Sequence, residues 1–147
     1  MNEAYDFRPL MRFVVPGEPI GKGRPRFTRE GRAYTPKKTA TAESMVAMNA
    51  RLVYADKRPV ETPVHVEIEA RFAMPKSWSD KKRREDAGAP CTKRPDADNI
   101  AKLVCDSLNG IAWADDSQVA TCAVWKNWAE TSEVIVRIYE MRRKEAA

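Results

Sequence analysis

The sequence predicts an α+β domain with one mixed β-sheet and helices packed on it, in the order β-α-β-α-β-β. Strand-like alternation at residues 64–72 separates two segments of helical periodicity, and two further strand-like runs follow at 118–127 and 133–140. The 147 residues, 43% of them apolar, suffice for one core. We therefore expect a single domain over 1–147, with flexible ends at 1–9 and 141–147.

The first strand is predicted at residues 10–15 (LMRFVV), where Pro16 and Gly17 end it. An extended loop rich in Gly, Pro and Arg follows. It is not a phosphate-binding P-loop, because Lys22 precedes Gly23 where that motif needs Ser or Thr.

The first helix is predicted to start with Thr35 as N-cap and Pro36 at the first helical position, and to run to about Ala55. Its apolar residues recur at roughly helical spacing, so we expect burial of Ala42, Met45, Val46, Leu52 and Val53.

The strict alternation of VHVEIEARF predicts a half-buried strand. Its inward face would carry Val64, Val66, Ile68, Ala70 and Phe72. His65, the sole histidine, falls on the polar face, where a surface role is expected. This placement argues against histidine-based catalysis and against histidine-rich metal sites.

Residues 75–95 lack periodicity and predict a long loop. A helix over about Asn99–Leu108 follows, with an apolar stripe and a polar face. The three cysteines form no CxxC pattern and are expected to be reduced thiols. No apolar run reaches the roughly 20 residues of a membrane span, and no signal peptide is recognisable, so we expect a cytoplasmic protein.

The net charge of +5 is concentrated in two segments. Residues 22–38 hold seven basic side chains against Glu30 alone, and residues 76–94 hold seven more against three acids. Such patches attract polyanions, although a solvated surface is the simpler explanation for either one. We expect the following side chains to contact a DNA backbone: Lys22, Arg24, Arg26, Arg32, Lys81, Lys82, Arg83, Arg84, Lys93 and Arg94.

Between residues 94 and 119 the chain carries five aspartates within 21 residues. They are Asp96, Asp98, Asp106, Asp115 and Asp116. Helix capping would explain Asp98, and an i, i+4 ion pair with an aspartate would explain Lys102. A turn before the next strand uses one aspartate readily but has no obvious use for two.

If the last strands pack beside this helix, Asp116 can reach Asp96 and Asp98. Oxygen-only ligands suit Mg²⁺, with Mn²⁺ as a substitute. A calcium EF-hand fits poorly, because Ala101 stands where that loop needs glycine. A metal beside Lys102, framed by basic loops, would suit phosphodiester hydrolysis, since it activates water and neutralises developing charge.

The segments DADNIAKLVCDSLNG and DDSQV resemble the motif of the RusA-type endonucleases, which are Holliday junction resolvases of bacteria and their prophages. The upstream PGEPIGKGRPRFTREGRAYTP is also similar to the N-terminal segment of many members. The resemblance implies a Mg²⁺-dependent homodimer that makes paired nicks in four-way DNA, in DNA recombination and repair, without a small-molecule cofactor.

By the same resemblance, Asp96, Asp98 and Asp116 are the metal-binding catalytic carboxylates and Lys102 is the catalytic lysine. Asn99, Asp106 and Asp115 are supporting residues. Dimerisation also follows from the two-fold symmetry of a four-way junction, because one acidic cluster makes one cut.

Two alternatives remain open from the sequence. One is a non-catalytic protein that binds branched DNA and uses its acidic cluster structurally. The other is a nuclease that acts on other branched or single-stranded DNA.

Overall fold

The computed structural model describes residues 3–146 and confirms the α+β class, with one mixed sheet and helices packed on it. The strands are β1 (Tyr5–Pro16), β2 (Arg26–Phe27), β3 (Ala33–Tyr34), β4 (Val64–Ala73), β5 (Val119–Ala129) and β6 (Glu133–Arg143). The helices are α1 (Lys37–Tyr54), α2 (Asp80–Asp86) and α3 (Ala97–Ser107), and a 3₁₀ turn spans Asp116–Gln118.

The main sheet has the order β1-β6-β4-β5. β6 pairs antiparallel with β1 and β4, whereas β4 and β5 are parallel. A parallel pair needs a long crossover connection, and here that connection carries α2, α3 and all five aspartates of the acidic stretch. The topology therefore brings that stretch back across the sheet.

The prediction of flexible ends was wrong for residues 5–9 and 141–143, which lie in β1 and β6. Tyr5 pairs with Arg143 and Phe7 with Met141, so β1 and β6 extend each other well beyond their predicted limits. Residues 1, 2 and 147 lie outside the described part of the chain.

The core lies between the sheet and the two longer helices, α1 and α3. The inward face of β4 is confirmed, since its five predicted residues are all at most 4% exposed. On α1, however, Leu52 is 74% and Val53 is 49% exposed. The buried residues Val46, Ala50 and Tyr54 follow a four-residue spacing that turns positions 52 and 53 toward solvent.

The helices differ from prediction at the starts of α1 and α3 and in the presence of α2. α1 begins one residue later, with Pro36 at the N-cap position and no side-chain cap. α3 begins at Ala97, so Asp96 rather than Asp98 precedes the helix. α2 lies inside the expected loop: Ser79 caps it by accepting from the Lys82 backbone N–H, and it buries no residue. A helix without a buried stripe leaves no apolar periodicity to detect.

His65 is buried at 7% exposure rather than exposed as predicted. Its ring lies edge-on to Phe7, 5.2 Å between centroids, and also near Tyr139. Its nitrogens contact the Thr121 hydroxyl and, at 3.1 Å, Glu67. The cause is the longer β1, which places Phe7 beside the polar face of β4. No helix among residues 3–146 is long and apolar enough to cross a membrane.

Candidate functional site

α3 presents its polar side chains above a buried stripe of Ile100, Leu103 and Val104. Asp96 and Asp98 are exposed at its start. Asp96 makes no capping hydrogen bond with its side chain, so capping does not explain it.

Lys102 is exposed one helical turn beyond Asp98. Among residues 3–146 it joins no ion pair within 4 Å, although aspartates stand four residues before and after it. The helix ion-pair explanation for Lys102 therefore has no support in the structure. Its charge is available to a ligand.

The adjacent aspartates have different surroundings. Asp115 caps the 3₁₀ turn: it accepts from the Ser117 backbone N–H at 3.0 Å, while Gln118 accepts from the Asp115 N–H in return. The hydrogen bonds from Ser117 lower the pKa of Asp115. The Asp115 carboxylate thus stabilises the turn, and the turn does not need the Asp116 carboxylate.

Asp116 faces α3 and hydrogen-bonds to Asp106. That bond, then burial and the charges of Asp115 and Asp106, raises the pKa of Asp116. Eight residues of α-helix span about 12 Å, so Asp106 lies far along the helix from Asp98. An Asp116 carboxyl held at Asp106 consequently lies away from the helix start.

The positions of these aspartates determine whether they can share a metal ion. Across residues 3–146, no three aspartate, glutamate, histidine or cysteine side chains form a group that could hold one. The oxygen donors of Asp96, Asp98 and Asp116 suit Mg²⁺, but their arrangement does not bring them together. Whether they act as its ligands stays a prediction.

A groove of about 800 Å³ runs past the start of α3. Both basic segments line it, together with Asp96 and Asn99. Of the predicted DNA contacts, the groove contains Lys22, Arg24, Arg26, Lys93 and Arg94. Lys38 also lines it and was missed, because the sequence does not show that the start of α1 closes this groove.

The remaining predicted DNA contacts lie elsewhere. Lys81, Lys82, Arg83 and Arg84 belong to α2, which does not line the groove. Within α2, Lys82 pairs with Asp86 at 2.6 Å, and Arg83 donates to the Pro75 carbonyl. Arg32 lies in the β2–β3 turn and donates its backbone N–H to Thr28.

The β2–β3 hairpin exposes two aromatic rings that the sequence reading did not single out. Phe27 is 69% and Tyr34 is 47% exposed, and Arg26 pairs with Tyr34 across the hairpin. In the sequence, the signal for a nucleic-acid contact here is that both aromatic residues stand among basic ones, since exposed aromatic rings stack on unpaired bases.

The chain is similar to known proteins along most of its length. The family model described as "Endodeoxyribonuclease RusA" matches residues 16–139. The chain belongs to the RusA endodeoxyribonuclease family. It is also 36% identical over 142 residues to the uncharacterized protein YqaN of Bacillus subtilis (strain 168), covering 89% of this chain and 96% of that protein. The suspected RusA resemblance is thereby confirmed, and with it a nuclease that acts on DNA.

For this RusA-family nuclease we expect Asp116→Asn to leave stability at pH 7 equal or higher while cleavage falls. The pKa of Asp116 is higher in the folded than in the unfolded chain, so its ionisation costs stability. The cost is absent below the ordinary value of 3.8 and grows as pH rises through the folded value. Melting temperatures from pH 3 to 8 in EDTA check this.

Asp115→Asn is the matched control, for which we expect the opposite change in stability. The pKa of Asp115 is lowered by the Ser117 hydrogen bonds, so its contribution to stability is present at neutral pH and lost on acidification. Asp115→Asn should therefore lower the melting temperature at pH 7. An Asp116→Asn protein that unfolds at pH 7 would show that Asp116 is structural.

We expect Gly21→Ala to displace the basic loop from α3. A Cβ at Gly21 would lie 2.9 Å from the Cβ atoms of both Asn99 and Pro95. Neither atom can swing away, so unfolding free energy should fall by about 1–3 kcal/mol, and DNA binding should weaken as the groove changes shape. Urea denaturation and junction binding measure both, with exposed Glu30→Ala as control. Unchanged stability would refute the close contact.

Proposed function

We propose that this protein is a Mg²⁺-dependent endonuclease that resolves four-way DNA junctions by paired, symmetric nicks. The observation that carries the proposal is the groove that both basic segments share with Asp96 and Asn99. Basic side chains along a groove hold a phosphate backbone without reading its sequence. The Asp96 carboxylate at the same place is unfavourable for DNA binding alone, which argues against a non-catalytic binding protein.

In this proposal Arg24, Arg26, Lys93 and Arg94 bind and orient a DNA strand along the groove. Lys102 supplies a fixed positive charge near the scissile phosphate, which its lack of an intramolecular partner supports. Asp96, Asp98 and Asp116 would hold Mg²⁺, or Mn²⁺ in its place. Their oxygen donors support this assignment, and their separation requires Asp116 to leave Asp106.

We further propose that the active species is a homodimer. A four-way junction has approximate two-fold symmetry, and a two-fold dimer presents identical sites to opposing strands. The sheet face opposite α1 and α3 is a candidate interface, because Trp125 on β5 is 53% exposed there rather than in the core. The setting would be DNA recombination and repair in the cytoplasm of a bacterium, from a host or prophage gene.

The test is cleavage of a synthetic four-way junction, with product mapping on all four strands. We expect nicks at symmetric positions on two opposing strands, dependence on added Mg²⁺ or Mn²⁺, and none in EDTA. Sedimentation of the junction complex should give two chains per junction. Junction binding without cleavage under every metal condition would support the non-catalytic alternative instead.

A nuclease for other branched or single-stranded DNA is the second candidate. The exposed rings of Phe27 and Tyr34 favour it, since unpaired bases stack on aromatic side chains at about 1–3 kcal/mol per base. Junction, fork, flap, single strand and linear duplex should be compared at matched salt, because backbone binding falls steeply with ionic strength. Preference for flap or single strand over junction would select this candidate.

A further inference from the structure

The β2–β3 hairpin projects from the body of the protein. Every residue from 24 to 35 is exposed, and the two strands have their main contacts with each other. Hydrogen bonds hold the turn closed: the Thr28 backbone N–H donates to the Arg32 carbonyl at 2.9 Å, and the Gly31 N–H donates to the Thr28 carbonyl at 3.0 Å. The projection is therefore a hydrogen-bonded hairpin surrounded by solvent.

The base of this hairpin is fixed beside the groove at the start of α3. The Lys22 backbone N–H donates to the Asn99 carbonyl of α3 at 2.9 Å. The Gly23 N–H donates at 3.1 Å to the hydroxyl of Thr39 on α1, a residue that is only 3% exposed. Arg26, the first residue of β2, still lines the groove. The hairpin thus continues the groove outward.

The register of the hairpin places its two aromatic rings on opposite faces. Arg26 pairs with Tyr34, and Phe27 pairs with Ala33. Paired residues share a face and successive residues alternate, so Tyr34 lies on the face of Arg26 and Phe27 lies on the other. Within residues 3–146 neither ring contacts another aromatic ring or a cation. Each face of the hairpin therefore presents one ring that is available for stacking.

The hairpin also carries a net positive charge. Residues 24–35 include one glutamate and four arginines, Arg24, Arg26, Arg29 and Arg32. In the described part of the chain none of these arginines joins an ion pair. One exposed aromatic side chain is ordinary on a protein surface. Two rings on a projecting, arginine-rich hairpin suit a ligand that combines flat faces with negative charge, as DNA bases on their phosphate backbone do.

Rings on opposite faces can contact two bases at once only if the hairpin enters between those bases. In a linear duplex this entry must break the stacking of adjacent base pairs, which costs free energy. At a branch point the adjoining base pairs belong to different arms, so they separate when the arms move apart. Flaps and forks also have a branch point. The geometry therefore favours branched DNA over linear duplex.

We propose that the β2–β3 hairpin inserts at the branch point of the DNA substrate, where Phe27 and Tyr34 each stack on a base of a different arm. The hairpin then determines the selectivity for branched DNA, and the groove binds the strand to be cut. The inference rests on the proposed function, since it takes branched DNA as the substrate.

The test measures binding of a four-way junction and of a linear duplex of the same sequence, in EDTA and at matched salt. Phe27→Ala and Tyr34→Ala should each lower junction affinity about tenfold, within the range for losing one base–aromatic stack. Duplex affinity should stay within about twofold, because the rings do not enter a continuous stack. Phe27→Tyr and Tyr34→Phe should keep wild-type affinity, since both preserve a ring that stacks.

Arg32→Gln is the matched control for a phosphate contact on the same hairpin. It should weaken junction and duplex binding alike and reduce the salt slope by about 1, whereas the ring variants should leave the slope unchanged. Leu52→Ala removes an exposed apolar side chain from α1 and should change neither affinity. Melting temperatures of the ring variants should match wild type, because neither ring belongs to the core.

A 2-aminopurine base at the branch point reports stacking directly. Its fluorescence should change when wild type binds and should not change when the double variant of Phe27 and Tyr34 binds at saturation. An unchanged signal with wild type, equal losses on junction and duplex, or no loss in either alanine variant would overturn the proposal. A changed number of chains per junction would show that the rings contact a second copy, and would also overturn it.

The proposed function fails by a different result. A wild-type protein that binds junctions selectively but cuts none under any metal condition would overturn the proposed function. The binding measurements, made in EDTA, do not depend on cleavage, which separates the two failures.

Discussion

Replacing Asp96 by asparagine should lower the rate of junction cleavage at least about 100-fold, above the usual cost of changing a residue that only orients a metal ligand. Junction binding in EDTA should be equal or tighter. Asp96 is exposed in the basic groove, so the substitution removes a negative charge from the DNA path. The helix should be unaffected, because the Asp96 side chain makes no cap hydrogen bond.

Single-turnover cleavage and binding by gel shift measure the two quantities on one preparation. Asp80→Asn is the matched control: it removes an exposed aspartate at the start of α2, away from the groove. It should leave cleavage within about twofold, as expected for a surface change. Undiminished cleavage by Asp96→Asn would remove Asp96 from the reaction.

Replacing Trp113 by alanine should lower the unfolding free energy by about 3–5 kcal/mol, the range for a buried aromatic residue. Trp113 is fully buried, and its indole N–H donates to Asn109 Oδ1 at 2.9 Å. Its carbonyl accepts from the Gly110 N–H at 2.7 Å, which closes the turn between α3 and Asp115. The substitution therefore leaves a cavity and loosens the segment that carries Asp116.

Urea denaturation gives the change in unfolding free energy, and the same samples should show reduced cleavage well below their melting temperature. Leu52→Ala is the control, since Leu52 is 74% exposed and should change stability by no more than about 0.5 kcal/mol. A loss below about 1 kcal/mol for Trp113→Ala would contradict the packing described.

The sequence predicted the parts of this fold that local patterns determine. Alternation over VHVEIEARF identified β4 and its buried face, because successive strand side chains point to opposite sides. The apolar stripe of Ile100, Leu103 and Val104 identified α3 for the same kind of reason. These patterns sufficed for the fold class and for placing the acidic stretch on a helix and the turn after it.

Contacts between distant segments could not be predicted in this way. Lys22 meets Asp106 across 84 residues of sequence, and nothing local distinguishes it from the free arginines beside it. His65 was assigned to the surface because its burial depends on Phe7, which is distant in sequence, on β1, but packs against the His65 ring. The exposure of Leu52 likewise depends on which face of α1 meets β1 and α3.

The sheet order also bears on how the protein folds. β1 pairs only with β6 within the described sheet. Phe13 therefore pairs with Val136, more than 120 residues later in the chain. Pairings this distant in sequence slow folding, because the chain loses loop entropy before the contacts compensate for it. Asp96 and Asp116 lie in the crossover between the parallel strands. The candidate site therefore also depends on a pairing between strands that are distant in sequence, and not on local turns alone.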